Sequence, residues 1–303
     1  MNEIFDKLII RITFSVFICL LIFLYRYAHR LLYPSSKKQM FRKFYPSENS
    51  ADTIHMFARV IGICLIYSTL SFDGDTGVFV SLFHFSVWGV LSFTVYLISI
   101  YVSESITLYN FIYADEVLKR KNMSYAIVSF SISICLAMLI RKIIVESEFS
   151  IILLIMFWLY SLVLFGLCIK LYQFVSKFKF NQLMIQKNVA LAFSFSGYLF
   201  GITTIIITAF NQEHLDIKRY AVQVTLSVLL SLIIFPIFHF GIKLIFKVQE
   251  DLIKKDKGIA SFAETEVPEL GYGIYEGILF YSSALLTSII VGQIQFGIIY
   301  PFF

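Results

Sequence analysis

Apolar residues fall in blocks of about 20 along this chain, separated by short charged or polar stretches. That is the helix length needed to cross a ~30 Å hydrocarbon layer. Read against the punctuation, the blocks predict helices at residues 8–28, 53–71, 77–101, 123–141, 150–173, 189–209, 220–242 and 272–295. The ten-residue alternation of an outer-membrane barrel is not seen. The first block runs from Leu8 past Leu24 into Tyr25-Arg26-Tyr27 without a small-residue cleavage site, so it is expected to remain as a helix and not to leave as a signal peptide.

The pattern is also written twice. Asn49-Ser-Ala51-Asp-Thr53, opening an apolar run to Gly62, recurs as Asn188-Val-Ala190-Leu-Ala192 opening a run to Gly201. One constant offset sets Asn49 on Asn188, Ala58 on Gly197 and Gly62 on Gly201, and such self-similarity takes precedence over any other reading of fold. Four spans per half make both halves enter the membrane in the same sense. The expected fold is therefore an all-α integral membrane protein, its eight transmembrane helices forming two parallel four-helix repeats over residues 1–145 and 146–303. The fourth span begins with a related opening, Asn122-Met-Ser124-Tyr-Ala126, and the eighth with a degenerate one, Glu269-Leu-Gly271-Tyr-Gly273. The underlying unit is then a helical hairpin used four times.

Composition agrees with the membrane reading: 58% hydrophobic, 15% charged and a mean hydropathy of +0.80. Charge then sets orientation. Basic residues collect after spans one (Arg26, Arg30, Lys37, Lys38, Arg42, Lys43), three (Lys119–Lys121), five (Lys170, Lys177, Lys179, Lys187) and seven (Lys243, Lys247, Lys254, Lys255, Lys257), with few in the intervening connections. The positive-inside bias places those four connections in the cytoplasm of a plasma (inner) membrane protein, with both termini outside. Tyrosines near span ends, such as Tyr25, Tyr27, Tyr33, Tyr109 and Tyr113, read as interfacial anchors, with no aromatic cage inferred. The acidic and basic connection between Phe246 and Leu270 is the one sizeable soluble piece and is too short for a catalytic domain.

An Asn at a helix start can cap backbone amides that lipid leaves unpaired. Small residues one turn apart let a second helix come close, because in lipid van der Waals contact stands in for the hydrophobic effect. The even spans carry such steps: Ala58 with Gly62, Ser129 with Ser133 and Ala137, Gly197 with Gly201, Gly273 with Gly277. They are expected at the centre, inside a Phe-rich shell of odd spans. These openings, Asn188 to Gly201 above all, then Asn49 to Gly62 and Asn122 to Ser129, resemble the YjfL-like inner-membrane family catalogued as domain of unknown function 350. The resemblance implies two tandem four-helix units and an inner-membrane component of unsettled activity, linked to envelope stress and to neighbours that handle polyamines or remodel membranes. Glu269 in place of the eighth span's Asn, and Thr53 in place of the second Ala, depart from the family opening.

The candidate chemistry is sparse. Arg59 lies two turns into the second span with Asp52, His55 and Gly62 on its face, and Glu276 lies one turn into the eighth beside Gly273 and Gly277. Ionisable groups at membrane depth are rare, costing about 3 kcal/mol at the bilayer centre. Asp52, His55, Arg59 and Glu276 form the candidate intramembrane polar site, and three readings stand for Arg59 and Glu276: interfacial snorkelling or contact with interfacial water, an ion pair tying the halves together, or a permeation or proton path. Pro236 is expected to kink the seventh span. The four cysteines read as packing residues, and no spacing of His, Cys or carboxylates marks a metal, cofactor or catalytic site. No enzyme is expected. The best reading is a channel or transporter for small ions or polyamines, with a membrane scaffold that docks cytoplasmic partners as the alternative. A homo-oligomer fits either reading, the lipid bilayer is the certain partner, and nucleic acid is not expected. If the even spans enclose a path, Arg59, His55, Ser129, Ser194 and Glu276 should line it.

Overall fold

A computed structural model describes residues 2–33, 46–70, 77–148, 150–175, 180–212, 217–247, 253–256, 265–268 and 270–296. Its long helices are α1 (Asn2–Leu32), α2 (Ser50–Tyr67), α3 (Val78–Thr107), α4 (Met123–Glu146) and α5 (Ile151–Val175), and, after the short α6 (Phe180–Ile185), α7 (Val189–Ala209), α8 (Ile217–Phe246) and α9 (Leu270–Val291). Eight of the nine, all but α6, are long and apolar enough to span a membrane. A short antiparallel pair, β1 (Ile253–Asp256) and β2 (Thr265–Pro268), is the one non-helical element among the described residues. The basic cluster Lys37 to Lys43 and most of the acidic connection before Leu270 lie outside them.

The asparagines begin the even spans as the openings suggest. The Asn49 side chain accepts from the Asp52 amide, Asn122 from those of Ser124 and Tyr125, and Asn188 from that of Leu191. The amide nitrogens of Asn49 and Asn122 tie neighbouring hairpins together. Asn49 Nδ2 donates to the Val117 carbonyl at 2.8 Å, in the π-helical turn Ala114–Lys119 that precedes α4. Asn122 Nδ2 donates to the Met184 carbonyl at 3.0 Å, in α6, which precedes α7. Lys121 and Lys187 stand just before the caps of α4 and α7 in the left-handed conformation, with φ of 50° and 59°. Each reaches back one hairpin, Lys121 to the Glu48 carbonyl at 2.7 Å and Lys187 to the Arg120 carbonyl at 2.6 Å. The basic rim is thus a ladder of side chains on backbone. Fully buried Asn122 also holds Glu116 at 2.7 Å. Asn122→Ala should therefore lower stability by about 2–4 kcal/mol, against about 1 kcal/mol for the half-buried Asn49→Ala, as measured by thermal unfolding in detergent.

The even spans form a single row, α2–α4–α7–α9, with α1, α3 and α5 in a second layer and α8 against α9 and α7. Only α4 and α7 are buried along most of their length, whereas α2 and α9, at the ends of the row, share their outer faces with lipid. The expectation of four central helices is corrected in this respect. The seam between the halves is α4 on α7, where Ser131 Oγ donates to Ser196 Oγ at 2.6 Å. Within the second half α7 and α9 touch backbone to backbone: a Cβ on Gly197 would strike the Gly277 backbone, and one on Gly273 the Ala190 backbone. Gly201 faces Ala284 in the same way. Gly62 departs from the expected helix packing, since it makes room for the Tyr96 phenol from α3. Cys135 and Cys168 are buried as expected, but Cys19 and Cys64 face outward. Pro236 sits inside α8, which continues through it.

Candidate functional site

Arg59 is fully buried, and its partners come from three other helices. Nη2 pairs with Glu104 of α3 at 2.5 Å and lies 2.6 Å from Ser129 Oγ of α4 and 2.9 Å from the Tyr33 hydroxyl that follows α1. Nη1 donates to the His55 carbonyl, and Nη2 also meets His55 Nε2 at 2.9 Å. Glu104 accepts from Arg59, from Ser129 Oγ and from the Tyr33 hydroxyl. Three donors thus converge on one carboxylate.

The Arg59–Glu276 pair expected from sequence does not form. Helices α2 and α9 stand at opposite ends of the row, and the arginine has its carboxylate within its own half. Glu276 instead accepts from Ser194 of α7 at 2.5 Å, with Tyr172 3.4 Å from that serine. The residues proposed to line one path therefore divide: His55, Arg59 and Ser129 gather in the first half, Ser194 and Glu276 in the second.

Around Arg59 lies a shell of aromatic and imidazole rings. Tyr33 and Tyr113 are 4.7 Å apart between centroids, with His55 5.0 Å and 4.7 Å from them respectively. His29 lies 4.8 Å from Tyr33 and 5.8 Å from His55. The Tyr113 hydroxyl donates to Asp52 at 2.6 Å. Burial, and then the Asp52 carboxylate beside it, hold the Tyr113 phenol well above its ordinary pKa, so it stays a donor. Burial raises Tyr33 in the same direction, with Arg59 opposing and Glu104 adding to it. These two rings line a cavity of about 280 Å³ together with Glu104, Tyr101, Tyr109 and Tyr125, at the basic end of the bundle. Tyrosines that read as membrane anchors are thus partly the wall of a polar pocket.

The second half carries the same scaffold with its charges moved. At the offset that sets Asn49 on Asn188, Tyr33 falls on Tyr172, His29 on Cys168, His55 on Ser194, Arg59 on Tyr198 and Glu104 on Lys243. Shifted to set Asn122 on Glu269, Tyr125 falls on Tyr272 and Ser129 on Glu276. The acid has moved from the third helix of the unit to the fourth, and a lysine holds its former position. Lys243 lies 5.9 Å over the Tyr272 ring and donates to its hydroxyl at 3.2 Å.

The model of one family, described as Domain of Unknown Function (DUF350), matches the chain twice, at residues 3–144 and 147–291. The chain belongs to this family. It holds two of the family's units in tandem, each a set of four membrane-spanning helices. No curated protein and no solved structure matches it. The Arg59–Glu104 centre lies wholly in the first unit, and the Ser194–Glu276 contact wholly in the second.

Proposed function

We propose that this tandem DUF350 protein is a carrier of small cations in the plasma (inner) membrane, with the lysine-rich rim in the cytoplasm and both termini outside. The observation that supports the reading is the Arg59–Glu104 ion pair, buried across helices α2 and α3 and flanked by the 280 Å³ cavity that reaches Glu104 from the basic end. Buried charges in a lipid-embedded bundle mark ion or proton pathways more often than structural ties. A cavity of phenols and one carboxylate suits a small cation or an amine, polyamines included, by cation–π contact and hydrogen bonding. The reading includes no catalysis and no cofactor.

A carrier fits better than a channel. Among the described residues the four even spans stand in a row, two of them in backbone contact, and not in a ring. The close contact of α7 and α9 also suits the second reading, a non-enzymatic scaffold whose basic rim docks a cytoplasmic protein. Flux of protons, ammonium and polyamines into proteoliposomes separates the two. Wild type should conduct at least one of them, and Glu104→Gln should reduce that flux by about tenfold or more while the chain stays folded. No flux across the set, from folded protein, would transfer the function to the rim.

A further inference from the structure

The cavity beside Glu104 is walled unevenly. Its inner side holds the buried Glu104 carboxylate and the rings of Tyr113 and Tyr125, whereas Tyr101, Ser105, Tyr109 and Ile112 form an exposed rim. Tyr101 and Ser105 also end a longer row. Val87, Val90, Thr94, Ile98, Tyr101 and Ser105 recur every three or four residues along α3 and are all exposed among the described residues, which makes them one continuous face of the helix. Because α3 is long and apolar enough to be a membrane span, that face meets acyl chains. The cavity opens at the end of it, out of the side of the bundle.

The chemistry of the wall changes in the same direction. Glu104 Oε1 accepts from Arg59 and Ser129, and Oε2 from Tyr33 alone. A carboxylate offers about four lone-pair sites, so Oε2 has one acceptor site to spare for a donor in the cavity. The ring faces around it attract a cation. Toward the rim come Leu32, Leu108, Phe111 and Ile112, which suit hydrocarbon. Next to the rim, Lys170 of α5 stands 5.5 Å over the Tyr109 ring. An inner acceptor among aromatic rings, an apolar rim and a neighbouring cation match an amphiphile whose ammonium tip is followed by a phosphate and then by acyl chains. The size agrees: the cavity volume of about 280 Å³ exceeds the ~240 Å³ taken up by the roughly eight non-hydrogen atoms of an ethanolamine phosphate, each given the ~30 Å³ of a water.

We propose that this cavity binds the headgroup of an ethanolamine phospholipid that enters sideways from the bilayer, with its ammonium donating to Glu104 Oε2 among the tyrosine rings and its acyl chains along the outward face of α3. The proposal rests on the reading of this cavity as an amine site, and it names the bilayer, not the aqueous phase, as the source of the amine.

The test is native mass spectrometry of the full chain, released from mild detergent and offered ethanolamine and choline phospholipids with identical acyl chains. Expected is one ethanolamine lipid retained per chain, with a preference of about tenfold over the choline lipid, whose trimethylated nitrogen keeps the charge but has no hydrogen to donate. Glu104→Gln should weaken that preference. Ser105→Trp, at an exposed rim position outside the Glu104 network, should block the mouth and abolish it, and this variant decides the matter should Glu104→Gln not fold. Equal retention of the two lipids, or a preference unchanged in Ser105→Trp, overturns the proposal. So does displacement of the lipid by free ethanolamine or spermidine at equal concentration, which would return the site to a soluble amine, or a dimer that Ser105→Trp disrupts while no lipid is retained. Headgroup preference without cation flux would leave the lipid site standing and remove the carrier reading, while flux without headgroup preference would do the reverse.

Discussion

Glu104→Ala should destabilise the protein by about 3–5 kcal/mol, measured as the unfolding equilibrium in bicelles. The figure is the cost of stranding a buried charge. Arg59 is fully enclosed by α1, α2, α3 and α4, so once its carboxylate is gone the guanidinium is left buried without its counter-charge. Two further donors, Ser129 and Tyr33, lose their acceptor in the same substitution. The double variant Arg59→Met with Glu104→Leu removes both charges and should recover part of the loss, since an apolar pair of similar volume often matches a buried ion pair. It should stay about 2 kcal/mol below wild type, because Tyr33 and Ser129 still lack the oxygen that organised them. A double variant no better than Glu104→Ala would mean that hydrogen bonds to the carboxylate, and not the stranded charge, dominate.

Gly277→Val should cost about 3 kcal/mol or more and loosen the second unit selectively. The Gly277 Cα faces the Phe193 carbonyl, and the Gly277 backbone fills the space where a Gly197 side chain would begin. Neither obstacle is a rotatable side chain, so the two helices must move apart. Helices in lipid gain little from burying apolar surface, and separating them forfeits most of what holds them. Amide exchange should rise along α7 and α9 and change little in α2. Gly241→Ala is the control: nothing lies near its Cβ position, and alanine in mid-helix should be neutral or stabilising by up to about 1 kcal/mol. Equal losses in the two variants would show that the close approach carries no special weight.

The eight spans, the duplication and the asparagine caps were legible because each is a local pattern read along one helix. The centre of the site was only half legible. Asp52, His55 and Arg59 follow from helical spacing on α2, but their acid does not. Glu104 looked like a loop residue because the third span, judged by hydropathy, ends near Tyr101, whereas α3 continues through Ser-Glu-Ser to Thr107. Its side chain is shielded by Tyr33, Arg59 and Ser129, a set of long-range neighbours that no single-helix pattern carries. The duplication held a usable signal: the offset that aligns the caps sets Glu104 on Lys243, two charges at one scaffold position in an apolar stretch.

The seam between the units fixes how long the row can be. A unit that must join others on both sides needs the α4 serine on one face and the α7 serine on the other, and identical units of that kind would go on adding end to end or close into a ring. Here the matching outer positions have changed. Ile278 on α9 takes the place of Ser131 and is 60% exposed, and Phe57 on α2 takes the place of Ser196 and is 50% exposed. Both ends are finished for acyl chains, as terminal repeats of soluble solenoids are finished for water. An association of whole molecules through the ends of the row would therefore lack this serine pair.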